Sequence, residues 1–188
     1  MQRRIPQIGI VMNSDKDLPQ MQHAAEFLQR LGIPFEMTVL SPYRTPDKVR
    51  DYGTNAARRG YEVVIAGAGG TNELACMIAC YTLLPVIGVP LRAAGDASIS
   101  KELASLLSTL ETPPGIPVAT VGFNDVENAA CLAVQILGVK DRRIRQILEQ
   151  FRSHLREEAD DKARTVEEFA LRMESIEPDR RYLAALQE

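Results

Sequence analysis

Apolar positions in this chain fall into two patterns that alternate. Short, mainly apolar runs stand at residues 7–12, 35–40, 63–66, 84–90 and 116–121, the clearest being the uninterrupted Val63-Val64-Ile65-Ala66. An unbroken apolar run bounded by turn residues reads as a parallel strand covered on both faces, because a half-exposed strand would alternate. Between these runs the apolar residues take helical spacing. Met21, Ala24, Ala25, Leu28 and Leu31 form one stripe, with Pro19 near its start and Gly32 as its C-terminal cap. Thr45-Pro46-Asp47 looks like a cap with proline at the first helical position, opening a helix to about Arg59. Further helices are predicted over residues 71–80, from Leu103 to Leu110 and from Val126 to Leu137, with Thr112-Pro113-Pro114-Gly115 as a break. Five strand–helix units in succession predict an α/β fold: a three-layer, doubly wound parallel sheet of flavodoxin or Rossmann type, with helices on both faces.

The pattern changes at Lys140. No further strand is readable, and charge is dense at Asp141-Arg142-Arg143, Arg156-Glu157-Glu158 and Asp160-Asp161-Lys162. Ile144, Ile147, Leu148, Phe151 and Leu155 keep an apolar stripe, predicting a long amphipathic helix and a weaker second one near residues 164–176. The expected division is an α/β domain over residues 1–138 and a helical extension over 139–188 that docks on a neighbouring subunit.

Composition narrows the function classes. The 188 residues carry a net charge of −3, which offers nucleic acid no broad basic field. No apolar run approaches the roughly 20 residues that span a bilayer, and no signal-peptide core follows the N-terminal arginines, so a cytoplasmic location is expected. Cys76, Cys80 and Cys131 lie in apolar helical contexts without a CxxC pair, and Cys76 and Cys80 read as small core residues. With only His23 and His154 in the chain, zinc hydrolase chemistry and histidine triads lose their ligands and bases. No metal or cofactor is expected.

Candidate chemistry centres on Gly67-Ala68-Gly69-Gly70, where the third apolar run meets a helix that Thr71 or Asn72 could cap. Glycines there let backbone approach a ligand closely, and free N–H groups at a helix start suit an anion. The spacing is neither that of a Walker loop nor of the GxGxxG dinucleotide fingerprint.

Four stretches together resemble the PurE family, the N5-carboxyaminoimidazole ribonucleotide mutases and aminoimidazole ribonucleotide carboxylases of purine biosynthesis. They are Met12-Asn13-Ser14-Asp15-Lys16-Asp17, Ser41-Pro42-Tyr43-Arg44-Thr45-Pro46, the run from Ala66 to Met77, and Leu84-Pro85-Val86-Ile87-Gly88-Val89-Pro90. The likeness covers roughly residues 7–138 in order. It implies a small phosphorylated nucleotide-like substrate, carbon dioxide or bicarbonate as co-reactant, and a homo-octamer with sites at subunit interfaces. It further implies that Ser14 holds phosphate and Asp17 a ribose hydroxyl, positions that also suit plain helix capping. Lys16 and Arg44 add positive charge for the phosphate, and Gly69, Gly70 and Thr71 line its approach.

Departures from the family pattern concentrate at ligand positions. The histidine of the second turn, the family's acid/base at the imidazole carbon, is Tyr43 here, and the histidine of the central motif is Glu73. Asn13 replaces a glycine, Lys16 a serine, and Arg92-Ala93 a Gln-Ser pair. A phenol with a pKa near ~10 would need a shift of roughly three units, about 4 kcal/mol, to act as a base at pH 7. Tyr43 therefore suits a hydrogen bond or a stacking contact. Glu73 is the better proton carrier, since burial raises carboxyl pKa values toward the useful range; it could also simply complement the helix dipole. These changes fit either the family reaction with an altered proton donor or another phosphorylated heterocycle, carboxylated, decarboxylated or rearranged. A non-catalytic nucleotide-binding protein is the third reading.

Overall fold

The computed structural model describes residues 5–70, 73–92 and 99–174. Its elements run β1 (Ile8–Met12), α1 (Leu18–Arg30), β2 (Phe35–Val39), α2 (Pro46–Asn55), β3 (Val63–Gly69), α3 (Glu73–Tyr81), β4 (Val86–Leu91), α4 (Ile99–Leu110), β5 (Ala119–Thr120), α5 (Val126–Gly138) and α6 (Arg142–Glu174). The strands form one parallel sheet in the order β2-β1-β3-β4-β5. α1 packs with α5 on one face; α2, α3 and α4 follow one another on the opposite face. This is the doubly wound architecture that the alternating pattern predicts, with the order reversing between β1 and β3.

The core explains the unbroken apolar runs. All five residues of β1 and all six of β4 are buried, as are Val63 to Ala68 of β3, because helices cover the sheet on both sides. Packing sets one glycine. A Cβ on Gly9 would stand 2.1 Å from the Tyr52 hydroxyl, so only a bare backbone lets α2 close over β1.

Several elements differ from their predicted extents; α2 ends at Asn55 instead of about Arg59. β5 is two residues long where residues 116–121 were expected to be extended, since Pro117 lacks the N–H that a ladder requires. α4 begins at Ile99 instead of Leu103; residues 93–98, which precede it, lie outside the described residues. α6 is a single helix of 33 residues, not two, because nothing between Arg142 and Glu174 interrupts it: the stretch has no glycine or proline.

The chain divides into a unit of residues 1–145 and one of 146–188. Within the second, Leu155, Val166, Phe169, Leu171 and Met173 are exposed. Cys80, expected in the core, is exposed, and Cys76 is half-buried with its thiol 3.7 Å from the Ser108 carbonyl. α3 buries Leu74, Ala75, Ile78 and Ala79, and Cys80 falls off that stripe. No helix among the described residues is long and apolar enough to cross a membrane.

Candidate functional site

In a parallel sheet every strand ends on the same side, so the turns after β1, β2 and β3 share one edge. The register fixes their alignment. Met12 lies between Val39 of β2 and Gly67 of β3, and the chain beyond it stays tied to both neighbours. The N–H of Asn13 donates to the Gly67 carbonyl at 3.2 Å, and that of Leu40 to the Met12 carbonyl at 2.9 Å.

The turn after β1 is a 3-10 turn over Asp15–Asp17 closed by a capping box. Ser14 Oγ accepts from the Lys16 N–H at 3.2 Å, and Asp17 Oδ2 accepts from the Ser14 N–H at 3.2 Å. The Ser14 hydroxyl donates to Asp15 Oδ1 at 3.0 Å. Both residues thus cap the turn, the local alternative that the sequence leaves open. Asp17 does more than cap. It is buried, and the backbone N–H of Gly69 lies near enough to favour its charged form. The first turn is therefore set against the glycine-rich end of β3, at the point where the strand order reverses.

Burial pushes the Asp17 carboxyl above its usual value and the neighbouring charge of Asp15 pushes the same way, while the two backbone N–H groups pull it down. A carboxyl group raised in the folded state is best tolerated when protonated. Its contribution to stability is present below the unfolded value of 3.8 and is lost as pH rises through the folded value. Above that range an ionised Asp17 is held at a cost to stability.

Tyr43 and Arg44 lie on the turn after β2. Ser41 and Thr45 knit it: the Thr45 hydroxyl donates to the Ser41 carbonyl at 3.1 Å, and the Arg44 N–H donates to Ser41 Oγ at 3.3 Å. Tyr43 is 72% exposed, so its ring stands out from the protein where a ligand or a neighbouring subunit could meet it. Arg44 and Lys16 are exposed, and among the described residues neither charged group forms an ion pair. Gly70 has φ +91, a left-handed conformation in which a side chain would be strained. Glu73 opens α3, half-buried, four residues beyond the end of β3. Thr71 and the Asn72 alternative cap lie outside the described residues.

Ser14 and Asp17 are thus joined by a hydrogen bond beside Gly69, and Tyr43, Arg44, Gly70 and Glu73 stand on the same sheet edge. This arrangement can bind an anion at Lys16 and Arg44, a hydroxyl at Asp17 and a flat ring over the glycines. The profile of the AIR carboxylase family matches residues 7–158, which takes in every one of these positions.

The chain is a member of the AIR carboxylase (PurE) family.

Relatives support the assignment. The N5-carboxyaminoimidazole ribonucleotide mutase of Pyrococcus horikoshii is 44% identical over 168 residues, covering 89% of this chain and 93% of that one. The phosphoribosylaminoimidazole carboxylase of Candida albicans is 44% identical over 163 residues, covering 87% of this chain but 28% of that longer protein. The crystal structure of Treponema denticola PurE, 24% identical, superposes with a TM-score of 0.71 over 85% of this chain and 98% of that one, a likeness of fold. Sequence reasoning missed Asn124, in the turn before α5, which joins the end of β4 through both its backbone and its side chain. Its sole signal was an asparagine in the polar turn Gly122-Phe123-Asn124-Asp125.

Proposed function

We propose that this protein moves a carboxyl group on a phosphorylated aminoimidazole ribonucleotide, as a mutase that shifts it from the exocyclic nitrogen or a carboxylase that takes it from carbon dioxide or bicarbonate. The observation that carries the reading is the buried carboxylate of Asp17, set beside the glycine-rich end of β3. It supports a ribose held by a carboxylate beside a glycine floor for the ring. Arg44 and Lys16 supply charge for the phosphate, Ser14 and Thr71 are its hydroxyl partners, and Gly69 and Gly70 leave room.

A carboxyl group that bonds to a ring carbon displaces the proton on that carbon, so the site needs a proton acceptor. Glu73 takes that role, since a carboxylate accepts a proton at neutral pH where a phenol does not. Tyr43 orients or stacks on the ring. Carbon dioxide is held between the two half-steps of the mutase route. Tyr43 and Glu73 in place of the family's histidines also favour a second reading, the same type of reaction on a different phosphorylated heterocycle.

The protein works in the cytoplasm as a homo-octamer, with residues 139–188 docking on a neighbouring subunit. The exposed Val166, Phe169 and Met173 support that docking, since apolar residues recurring along one helix call for a covering surface. Light scattering at micromolar concentration is expected to give eight times the 20.8 kDa chain mass; a monomer would overturn the assembly.

Titration calorimetry with 5-aminoimidazole ribonucleotide tests the binding half of the proposal. Wild-type protein is expected to bind it, and Arg44→Ala to weaken binding about tenfold or more, as for loss of a charge-assisted contact. The difference should shrink as salt is raised, because exposed charges are screened over about 10 Å at 0.1 M. Equal affinity of the two proteins at low salt would remove Arg44 from the phosphate site.

A further inference from the structure

Beyond the phosphate and ribose contacts, we propose that Arg92 is a specificity-determining residue that recognises a carboxylate on the heterocycle of the bound ligand. The inference rests on the site reading above and deepens it. Leu91 is the register partner of Gly69, so Arg92 is placed next to Gly70 at the mouth of the glycine-rich turn. Arg44 lies on the turn beyond β2, which stands three strand spacings from β4 in the order β2-β1-β3-β4. At about 4.8 Å per spacing the ends of these two strands are roughly 14 Å apart, a gap that arginine side chains on the turns beyond them can close around an extended nucleotide. One cation then faces the phosphate and the other faces the ring end.

Arg92 is built in, not merely present. Asn124 adopts φ +55, the left-handed region that asparagine tolerates better than most residues. From there its N–H donates to the Pro90 carbonyl at 2.9 Å, and its side-chain oxygen accepts from the Arg92 N–H at 2.9 Å. One residue thus extends the hydrogen bonding of β4 past its last ladder position and fixes where the Arg92 side chain starts. The guanidinium meets a carboxylate already: Nε lies 2.6 Å from Glu102 Oε1, with the arginine side chain 53% exposed and the glutamate 24%. A pair this exposed adds little to stability. It leaves part of the guanidinium fork available to a second carboxylate, and that planar fork is what distinguishes arginine from the glutamine of the family pattern.

Calorimetry on the full-length protein with two ligands tests this: 5-aminoimidazole ribonucleotide with and without a carboxylate on the ring carbon. Arg92→Gln is expected to weaken the carboxylated ligand about tenfold or more while changing the uncarboxylated one less than about twofold, which also shows that the variant is folded. Arg92→Lys should recover part of the loss. Asn124→Gly, which keeps the backbone conformation and loses the side-chain clamp, should weaken only the carboxylated ligand. Glu102→Gln should tighten it by freeing the guanidinium. Equal effects of Arg92→Gln on both ligands, or none on either, would overturn the carboxylate subsite and leave the functional reading standing. Wild-type protein that binds neither ligand would overturn the functional reading and this inference with it.

Discussion

Replacing Glu73 by glutamine is expected to lower turnover about 10²–10⁴-fold, the usual cost of removing one positioned acid/base group, while ligand affinity changes little. The amide keeps the shape and polarity of the carboxylate but has no basic site for a ring proton. The position allows the role: Glu73 starts α3, half-buried, just past the glycine-rich turn. Tyr43→Phe provides the comparison. The ring of Tyr43 is largely exposed, and if the phenol orients the ligand its loss should cost about tenfold, mostly in binding. Steady-state kinetics beside calorimetry separates the two. A fully active Glu73→Gln variant would remove Glu73 from the proton path.

The second large effect concerns Asp17 and has two parts with opposite signs. Asp17→Asn is expected to weaken ligand binding about 10- to 100-fold, since a hydrogen bond to a charged acceptor is worth about 1.5–3 kcal/mol. It should not lower the melting temperature at neutral pH. Burial already raises the carboxyl group, so the ionised form is a cost that the amide avoids, and the amide oxygen keeps an acceptor for the backbone N–H groups. The wild-type protein should lose stability as pH rises from 3.8 through the raised value, and the variant should lack that component. Thermal melts across that window check the sign. A variant destabilised at pH 7 with unchanged affinity would make Asp17 a purely structural cap.

How much of this was legible in the sequence depends on what kind of force sets each element. The central strands were readable because burial on both faces imposes an unbroken apolar run, which Val63 to Ala66 displays without ambiguity. β5 was overestimated because apolarity says nothing of donors, and Pro114 and Pro117 leave only Ala119 and Thr120 to pair with Ile87 and Gly88. The long α6 was split in two at a charged stretch, yet charges such as Asp161 and Arg164 pair along one helix face and carry it through. At the candidate site, residue types pointed to the first and third turns, but the approach of Gly69 to the buried Asp17 is long-range and has no local signature. Asn124 was invisible for the same reason: its left-handed backbone and its grip on Arg92 exist only once β4 and the turn before α5 are side by side.

The most direct measurement follows the carboxyl carbon itself. Purified protein would be given the N5-carboxylated ribonucleotide bearing ¹³C in its carboxyl group or, separately, 5-aminoimidazole ribonucleotide with ¹³C-bicarbonate, and ¹³C NMR would report where the label goes. Transfer of the label to the ring carbon at a rate well above the spontaneous one, abolished by Glu73→Gln, is the predicted result. Binding of both nucleotides with no enzyme-dependent movement of the label from either source would contradict it.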